Sequence, residues 1–245
     1  MIIFDRVSFS YNTQEILKNI NFSINFNEKV AILGGSGEGK TTILKLITGL
    51  IRPDSGSIII DGEDITKKTE EEMMDIRRRF SLVFQEGALF DSLSVKENVA
   101  FCLREYTDMD EYQIEQRVEE LLDLVGVKNA INKMPDELSG GMHRRVAIAR
   151  SLAAYEPRMF LYDEPTSGLD PINADNICRL IADLSKNGKG LIIVTHKIFD
   201  ALKVSDRFMF LKDGHIVFDG DKRRLLVSDI KEIQAFISEL NIENR

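Results

Sequence analysis

KVAILGGSGEGKTTILKLITGL, Lys29 to Leu50, decides how the rest of the chain is read. It opens with a short apolar run, KVAIL, that ends in glycine, as a buried central strand does. A glycine-rich turn follows, then a run with helical apolar spacing that stops at about Gly49. The turn GGSGEGKT, Gly34 to Thr41, fits G-x-x-x-x-G-K-[ST] in the strand–loop–helix setting that this pattern requires. Its glycines let backbone N–H groups wrap phosphate oxygens at a helix N-terminus, where the dipole also favours an anion. Lys40 can reach the β- and γ-phosphates, and the Thr41 hydroxyl can hold Mg²⁺. Gly34, Gly35, Ser36, Gly37, Glu38, Gly39, Lys40, Thr41 and Thr42 are therefore expected to bind a nucleotide. Glu38 brings a negative charge near the phosphates, so its side chain is expected to point out to solvent.

Outward from this unit, IIFDRVSFSY and ILKNINFSIN alternate in the manner of strands. SGSIIIDGEDI reads as a strand meeting an Asp61-Gly62 turn, and Thr69 with Glu72 forms a capping box before a helix. FSLVFQ, Phe80 to Gln85, is a further strand. From about residue 86 to 150 the texture is mostly helical. Ser94 and Glu97 make a second capping box, and Ile114, Val118, Leu121, Leu122 and Val125 recur at helical spacing up to Gly126. Strands resume with MFLYD and GLIIVTH, separated by a helix, and RFMFLKDGHIVFDG is a hairpin around Asp213-Gly214. The alternation predicts an α/β fold with a largely parallel sheet, an antiparallel N-terminal portion and an α-helical subdomain inserted at about 86–150. Residues 1–225 read as one domain. Residues 226–245 read as a helical tail with apolar Ile230, Ile233, Phe236, Ile237 and Leu240, which packs either on its own domain or on a partner.

The bulk properties narrow the class. The 245 residues carry a formal charge of −8, and a surface that binds nucleic acid wants the opposite sign. Cys102 and Cys178 lie far apart and match no metal spacing, which suits reduced structural thiols. The N-terminus lacks the basic flank and apolar core of a signal peptide. No apolar run approaches the roughly 20 residues that span a bilayer. A soluble, intracellular chain is the expectation.

Further residues complete the chemistry. MFLYDE, Met159 to Glu164, is an apolar strand ending in two acids, on the edge where α/β proteins bind ligands. Asp163 can hold Mg²⁺ directly or through water, and Glu164 can polarise an attacking water. His196 ends GLIIVTH on that same edge, within reach of a γ-phosphate. Gln85 ends FSLVFQ, where its amide can reach both metal and water. Tyr11 can stack on a base. In ELSGGMHRR, Glu137 to Arg145, a Ser-Gly-Gly step opens a second helix with anion-binding geometry. One phosphate loop satisfies one nucleotide, so this second site has a use if its ligand belongs to another copy placed head to tail.

The ordered set Tyr11, GGSGEGKTT, Gln85, LSGGM, FLYDE, SGLD and His196 resembles the nucleotide-binding subunit of an ABC transporter, over nearly the whole chain from residue 1 to about 225. The resemblance implies a P-loop NTPase with a RecA-like core, ATP and Mg²⁺ as ligands, and a head-to-tail dimer. Ser139, Gly140 and Gly141 would face the partner's ATP, and Asp170 of SGLD would lie at the dimer contact. In metal and catalytic roles it implies Thr41, Gln85 and Asp163 on Mg²⁺, Glu164 on the attacking water and His196 on the γ-phosphate. It also implies a separate transmembrane permease, with this chain peripheral on the cytoplasmic face of the inner or plasma membrane. QEGALFDSLSVKENVAFCLRE, Gln85 to Glu105, is similar to the same stretch of Mla/Mce-type lipid-transport ATPases, which implies phospholipid cargo and an Mce-domain lipid-binding partner. The other expectations left open are an ABC ATPase for a different substrate, or a single-cassette ABC ATPase of the iron–sulfur assembly type that serves no permease. Met142 departs from the family's usual glutamine.

Overall fold

The computed structural model describes residues 1–186 and 188–242. Among the described residues, ten strands form two sheets. Strands β1 (Ile2–Tyr11), β2 (Gln14–Ile24), β4 (Ser55–Ile60) and β5 (Glu63–Asp64) make an antiparallel sheet in the order β2-β1-β4-β5. The second sheet runs β10 (His215–Asp221), β9 (Arg207–Lys212), β3 (Lys29–Leu33), β8 (Gly190–Thr195), β7 (Met159–Asp163), β6 (Phe80–Val83). Every pairing in it is parallel except the β9–β10 hairpin. Strand β6 ends at Val83, so Gln85 stands two residues beyond the strand end on which the sequence had placed it.

Strands β7 and β8 are buried at every residue, which is why they read as unbroken apolar runs. Side chains alternate between two faces of a strand, and the core divides accordingly. Ala31, Leu33, Phe160, Tyr162, Leu191 and Ile193 face one cluster of buried residues, whereas Val30, Ile32, Met159, Leu161, Ile192 and Val194 face the other. Helices α1 (Lys40–Ile47) and α2 (Glu70–Arg77) contribute to the second cluster with the antiparallel sheet. Helices α3 (Val95–Tyr106), α4 (Glu111–Leu124) and α5 (Gly140–Ser151), all between β6 and β7, build the first, joined by α6 (Pro171–Leu184) and α7 (Ile198–Val204). The capping boxes of α2 and α3 are closed as the sequence predicts.

After the short α8 (Lys222–Leu226), α9 (Lys231–Ile242) packs on its own chain. Ile233 is fully buried, Ile230 and Ile237 lie against the first cluster, and the Phe236 ring meets Phe210 edge-on at 5.0 Å. Leu240 lies outside the residues whose side chains are described.

A single amide ties the start of the helical segment together. Asn98 is fully buried on α3. Its oxygen accepts from the Phe90 N–H, and its NH₂ donates to the carbonyls of Phe90, Leu93 and Ser94. Asn98→Ala leaves these backbone groups without that partner, so it is expected to lower the unfolding free energy by about 2–4 kcal/mol. Urea denaturation measures it, and a loss under ~0.5 kcal/mol would contradict a structural role for the amide.

Candidate active site

The phosphate loop joins β3 to α1, and its shape depends on two glycines. Gly37 and Gly39 hold φ at 83° and 101°, in the left-handed region that glycine enters without strain. Gly39 is also the N-cap of α1, so the loop delivers its chain onto a helix N-terminus with no side-chain cap. Lys40, the first helical residue, is 6% exposed. Its ammonium donates to the carbonyls of Gly34 (2.9 Å) and Gly35 (2.8 Å) and stands 3.7 Å from Glu164 Oε1. Burial lowers its pKa, opposed by the charges of Glu164 and Asp163.

The two acids at the end of β7 are not a solvated edge: Asp163, its last residue, is 4% exposed and Glu164, the next, 7%. Thr41 Oγ1 donates to Asp163 Oδ1 at 2.9 Å. Glu164 takes φ = 45°, uncommon for a residue with a Cβ, while its N–H still bonds the Val194 carbonyl of β8. The turn brings its carboxylate back over the end of β8. There Thr195 Oγ1 donates to Oε2 (3.1 Å), the His196 N–H donates to Oε1 (3.1 Å), and His196 Nδ1 lies 2.9 Å from Oε1. His196 therefore holds Glu164 with both backbone and ring.

Tyr11, Ser36, Gly37, Gly39, Lys40, Thr41, Thr42, Gln85 and Glu164 line one cleft of about 340 Å³, with Ile16 and Lys45. Tyr11 is exposed and braced edge-on against Phe9. Asp163, His196, Gly34 and Gly35 adjoin it through their bonds to Thr41, Glu164 and Lys40, whereas the Ser-Gly-Gly step and Asp170 lie elsewhere. Ser139 caps α5, its hydroxyl accepting from the Met142 N–H. A Cβ on Gly140 would lie 3.1 Å from Leu169, and one on Gly141 would lie 2.9 Å from the Asn173 side-chain oxygen. The start of α5 thus sits against the start of α6, where Asp170 is the N-cap and accepts from the Ile172 and Asn173 N–H groups. None of Ser139, Gly140, Gly141 and Asp170 lines the cleft.

The expectation for Glu38 is overturned. Its side chain is only 15% exposed. It accepts from Lys212 Nζ (2.8 Å) and from the Asp213 N–H (2.7 Å), folding away onto the β9–β10 hairpin instead of into solvent.

Two positioning residues escaped the sequence. Thr195, which grips Glu164, is hidden in the apolar run of β8. Arg144, buried in α5, donates to the Phe84 carbonyl at 2.7 Å and so anchors the backbone next to Gln85. A basic residue early in the helix after SGGM was the available signal.

Thr41 and Asp163 supply two hard oxygens bonded to each other, with the Gln85 amide at the cleft, and no cluster of three or more metal-ligating His, Cys, Asp or Glu occurs among the described residues. That donor set fits Mg²⁺, which takes one or two protein oxygens and completes its shell with phosphates and waters.

A family model described as ABC transporter matches residues 17–167. The chain is 38% identical over 232 residues to the "Intermembrane phospholipid transport system ATP-binding protein MlaF" of Escherichia coli, covering 94% of this chain and 86% of that protein. It is 40% identical over 230 residues to a "Probable ribonucleotide transport ATP-binding protein mkl" of Mycobacterium tuberculosis, covering 94% of this chain and 64% of that protein. Among solved structures, the dimeric post-hydrolysis state of the ATP-binding cassette MJ0796 bound to ADP and Pi aligns with a TM-score of 0.83 and 33% identity, covering 90% of this chain and 98% of that one.

Burial raises the pKa of Asp163, with the Thr41 hydrogen bond and Lys40 opposing. Ionising Asp163 therefore costs folding stability. That cost is absent below the ordinary aspartate pKa, grows as the pH rises toward the raised folded-state value, and is full above it. In chelator and without nucleotide, Asp163→Asn is expected to melt above the parent chain at pH 7, with the gap closing below about pH 4. Calorimetry across pH checks it; a variant less stable at neutral pH would refute the account.

Proposed function

This chain belongs to the ABC transporter family, and from that premise we propose that it is the ATP-hydrolysing subunit of a phospholipid transporter, working as a head-to-tail pair that drives a separate membrane permease. The observation that carries the ATPase part is the buried Glu164 carboxylate, held by Thr195 and His196 at the cleft and 3.7 Å from the Lys40 ammonium.

Each side chain then has a task. Tyr11 stacks on the base. The N–H groups of the phosphate loop, with Lys40, cradle the phosphates and draw charge toward the leaving side. Thr41, Asp163 and Gln85 would hold Mg²⁺, which would offset the charge of the phosphates. Glu164 accepts a hydrogen bond from the attacking water and orients it in line with the γ-phosphate. His196 keeps Glu164 aimed and faces the γ-phosphate. The hydrolysis step needs no covalent intermediate on the protein: positioning and electrostatics suffice.

A pair of copies is supported by the start of α5, where Ser139 and Gly140 are exposed and stand apart from the chain's own cleft. Placed opposite a partner's cleft, they bring free N–H groups to its phosphates, with Asp170 nearby. The MJ0796 cassette is itself dimeric. A permease is supported by what this chain leaves exposed. Phe90 and Phe101, 43% and 42% exposed with rings 4.9 Å apart, form an apolar patch on the helical segment. No helix among the described residues is long and apolar enough to cross a membrane. Docked through that patch, the subunit sits peripherally on the cytoplasmic face of the membrane. Phospholipid cargo, with an Mce-domain lipid-binding protein as a further partner, is supported by the Gly87-Ala88-Leu89-Phe90 run and the likeness to MlaF. The ribonucleotide in the mycobacterial relative's name is the competing cargo.

Glu164→Gln is expected to bind MgATP like the parent chain while hydrolysis falls by at least about 100-fold, with the ATP-loaded pair persisting on size-exclusion chromatography. Full turnover in that variant removes Glu164 from the chemistry. Affinity purification from native membranes in mild detergent, with mass spectrometry of proteins and lipids, is expected to recover a permease, an Mce-domain protein and phospholipid. A permease with another solute-binding partner discards the lipid, and soluble proteins alone discard the transport role.

A further inference from the structure

The phosphate loop is fastened to more than its own strand and helix. Its first residue lies directly on β9: a Cβ on Gly34 would come within 2.5 Å of the Leu211 carbonyl oxygen. Its fifth residue, Glu38, reaches the next two residues of that strand and turn, Lys212 Nζ at 2.8 Å and the Asp213 N–H at 2.7 Å. Gly214, which follows, accepts from the Lys18 N–H of β2 and packs within 2.8 Å, by its would-be Cβ, of the Ile16 carbonyl. The Ile16 side chain in turn lines the nucleotide cleft and bounds Gly39. The end of β9 and the turn after it thus touch the loop at its start and at Glu38, and reach Gly39 through Ile16.

A carboxylate within this loop repels the phosphates that the loop is built to hold, unless a cation offsets it. Lys212 supplies that cation on the side away from the cleft, and two donors hold Glu38 there. We infer that Glu38 is a positioning residue for nucleotide binding: clasped by Lys212 and the Asp213 N–H, it pins the phosphate loop to the β9–β10 hairpin with its N–H groups aimed into the cleft, and Lys212, which also lies 3.4 Å from Asp213 Oδ1, offsets its charge in part. This rests on the loop being the nucleotide site. Glu38 touches neither the transferred phosphoryl group nor the water, so its loss weakens ground-state and transition-state binding alike and raises KM with little change in kcat.

The test uses the purified full chain, with a fluorescent ATP analogue for affinity and steady-state hydrolysis for KM and kcat. Glu38→Ala removes both bonds and is expected to raise Kd and KM about tenfold, as for one charge-assisted hydrogen bond, with kcat within about twofold. Glu38→Gln still accepts from the Asp213 N–H and is expected to recover part of the loss. Lys212→Met leaves the carboxylate uncompensated and weakens binding, and the double variant Glu38→Gln/Lys212→Met binds better than Lys212→Met alone. Lys40→Ala separates the two layers of the argument. If it abolishes analogue binding while Glu38→Ala binds like the parent chain, the pin is wrong and the phosphate loop stands. If Lys40→Ala also binds like the parent chain, the loop is not the nucleotide site and the pin falls with it. Equal losses of kcat and kcat/KM in Glu38→Ala would likewise overturn a positioning role confined to binding.

Discussion

Lys40, Asp163 and Glu164 are three charged side chains buried at one end of a parallel sheet, and the surrounding structure exists to make that tolerable. Isolated, each would be driven toward its neutral form or would unfold its surroundings. Together they are partnered: ammonium on loop carbonyls, one carboxylate on Thr41, the other on Thr195 and His196. The arrangement requires β3, β7 and β8 to end side by side, which parallel pairing in adjacent positions achieves. Burying these groups needs both faces of the sheet covered, and coverage comes from the antiparallel sheet with α1 and α2 on one face and from the helical segment with α6 and α7 on the other.

The helical segment is also wired to the site. Gln85 lines the cleft, Arg144 of α5 bonds the Phe84 carbonyl one residue before it, and Asn98 fixes the backbone at Phe90 a few residues after it. Gln85 of the cleft and the exposed Phe90 thus sit on one short, hydrogen-bonded strip of chain. The opposite flank, through Glu38, Lys212 and the β9–β10 turn, steadies the phosphate loop from the sheet edge.

Much of this was legible. Capping boxes at Thr69 and Ser94, the Asp61-Gly62 and Asp213-Gly214 turns and the apolar runs of β3, β7 and β8 all rest on interactions within a few residues, which local sequence reports faithfully. The same holds for the phosphate loop, because its function depends on backbone geometry that glycine at set positions permits. The end of β6 was misjudged by two residues, since Phe84 and Gln85 carry the strand's composition without its ladder bonds. The tail was undecided because its apolar stripe suits any apolar surface, and it is the fold that brings Phe210 and its neighbours against it.

Residue types at fixed spacing were enough to establish an α/β chain of the ABC transporter family and to single out the two acids, lysine and histidine that the fold brings together at one end of the sheet. They could not say where each side chain points when its partner is far away in sequence. Glu38 meets Lys212 across the fold, Arg144 meets Phe84, and Thr195 meets Glu164. Local sequence carries the period of an element and the shape of a turn, because those bonds close within the segment. The burial of a charge and the identity of its counter-ion depend on which segments the sheet brings side by side, and that is decided by the packing of the whole chain.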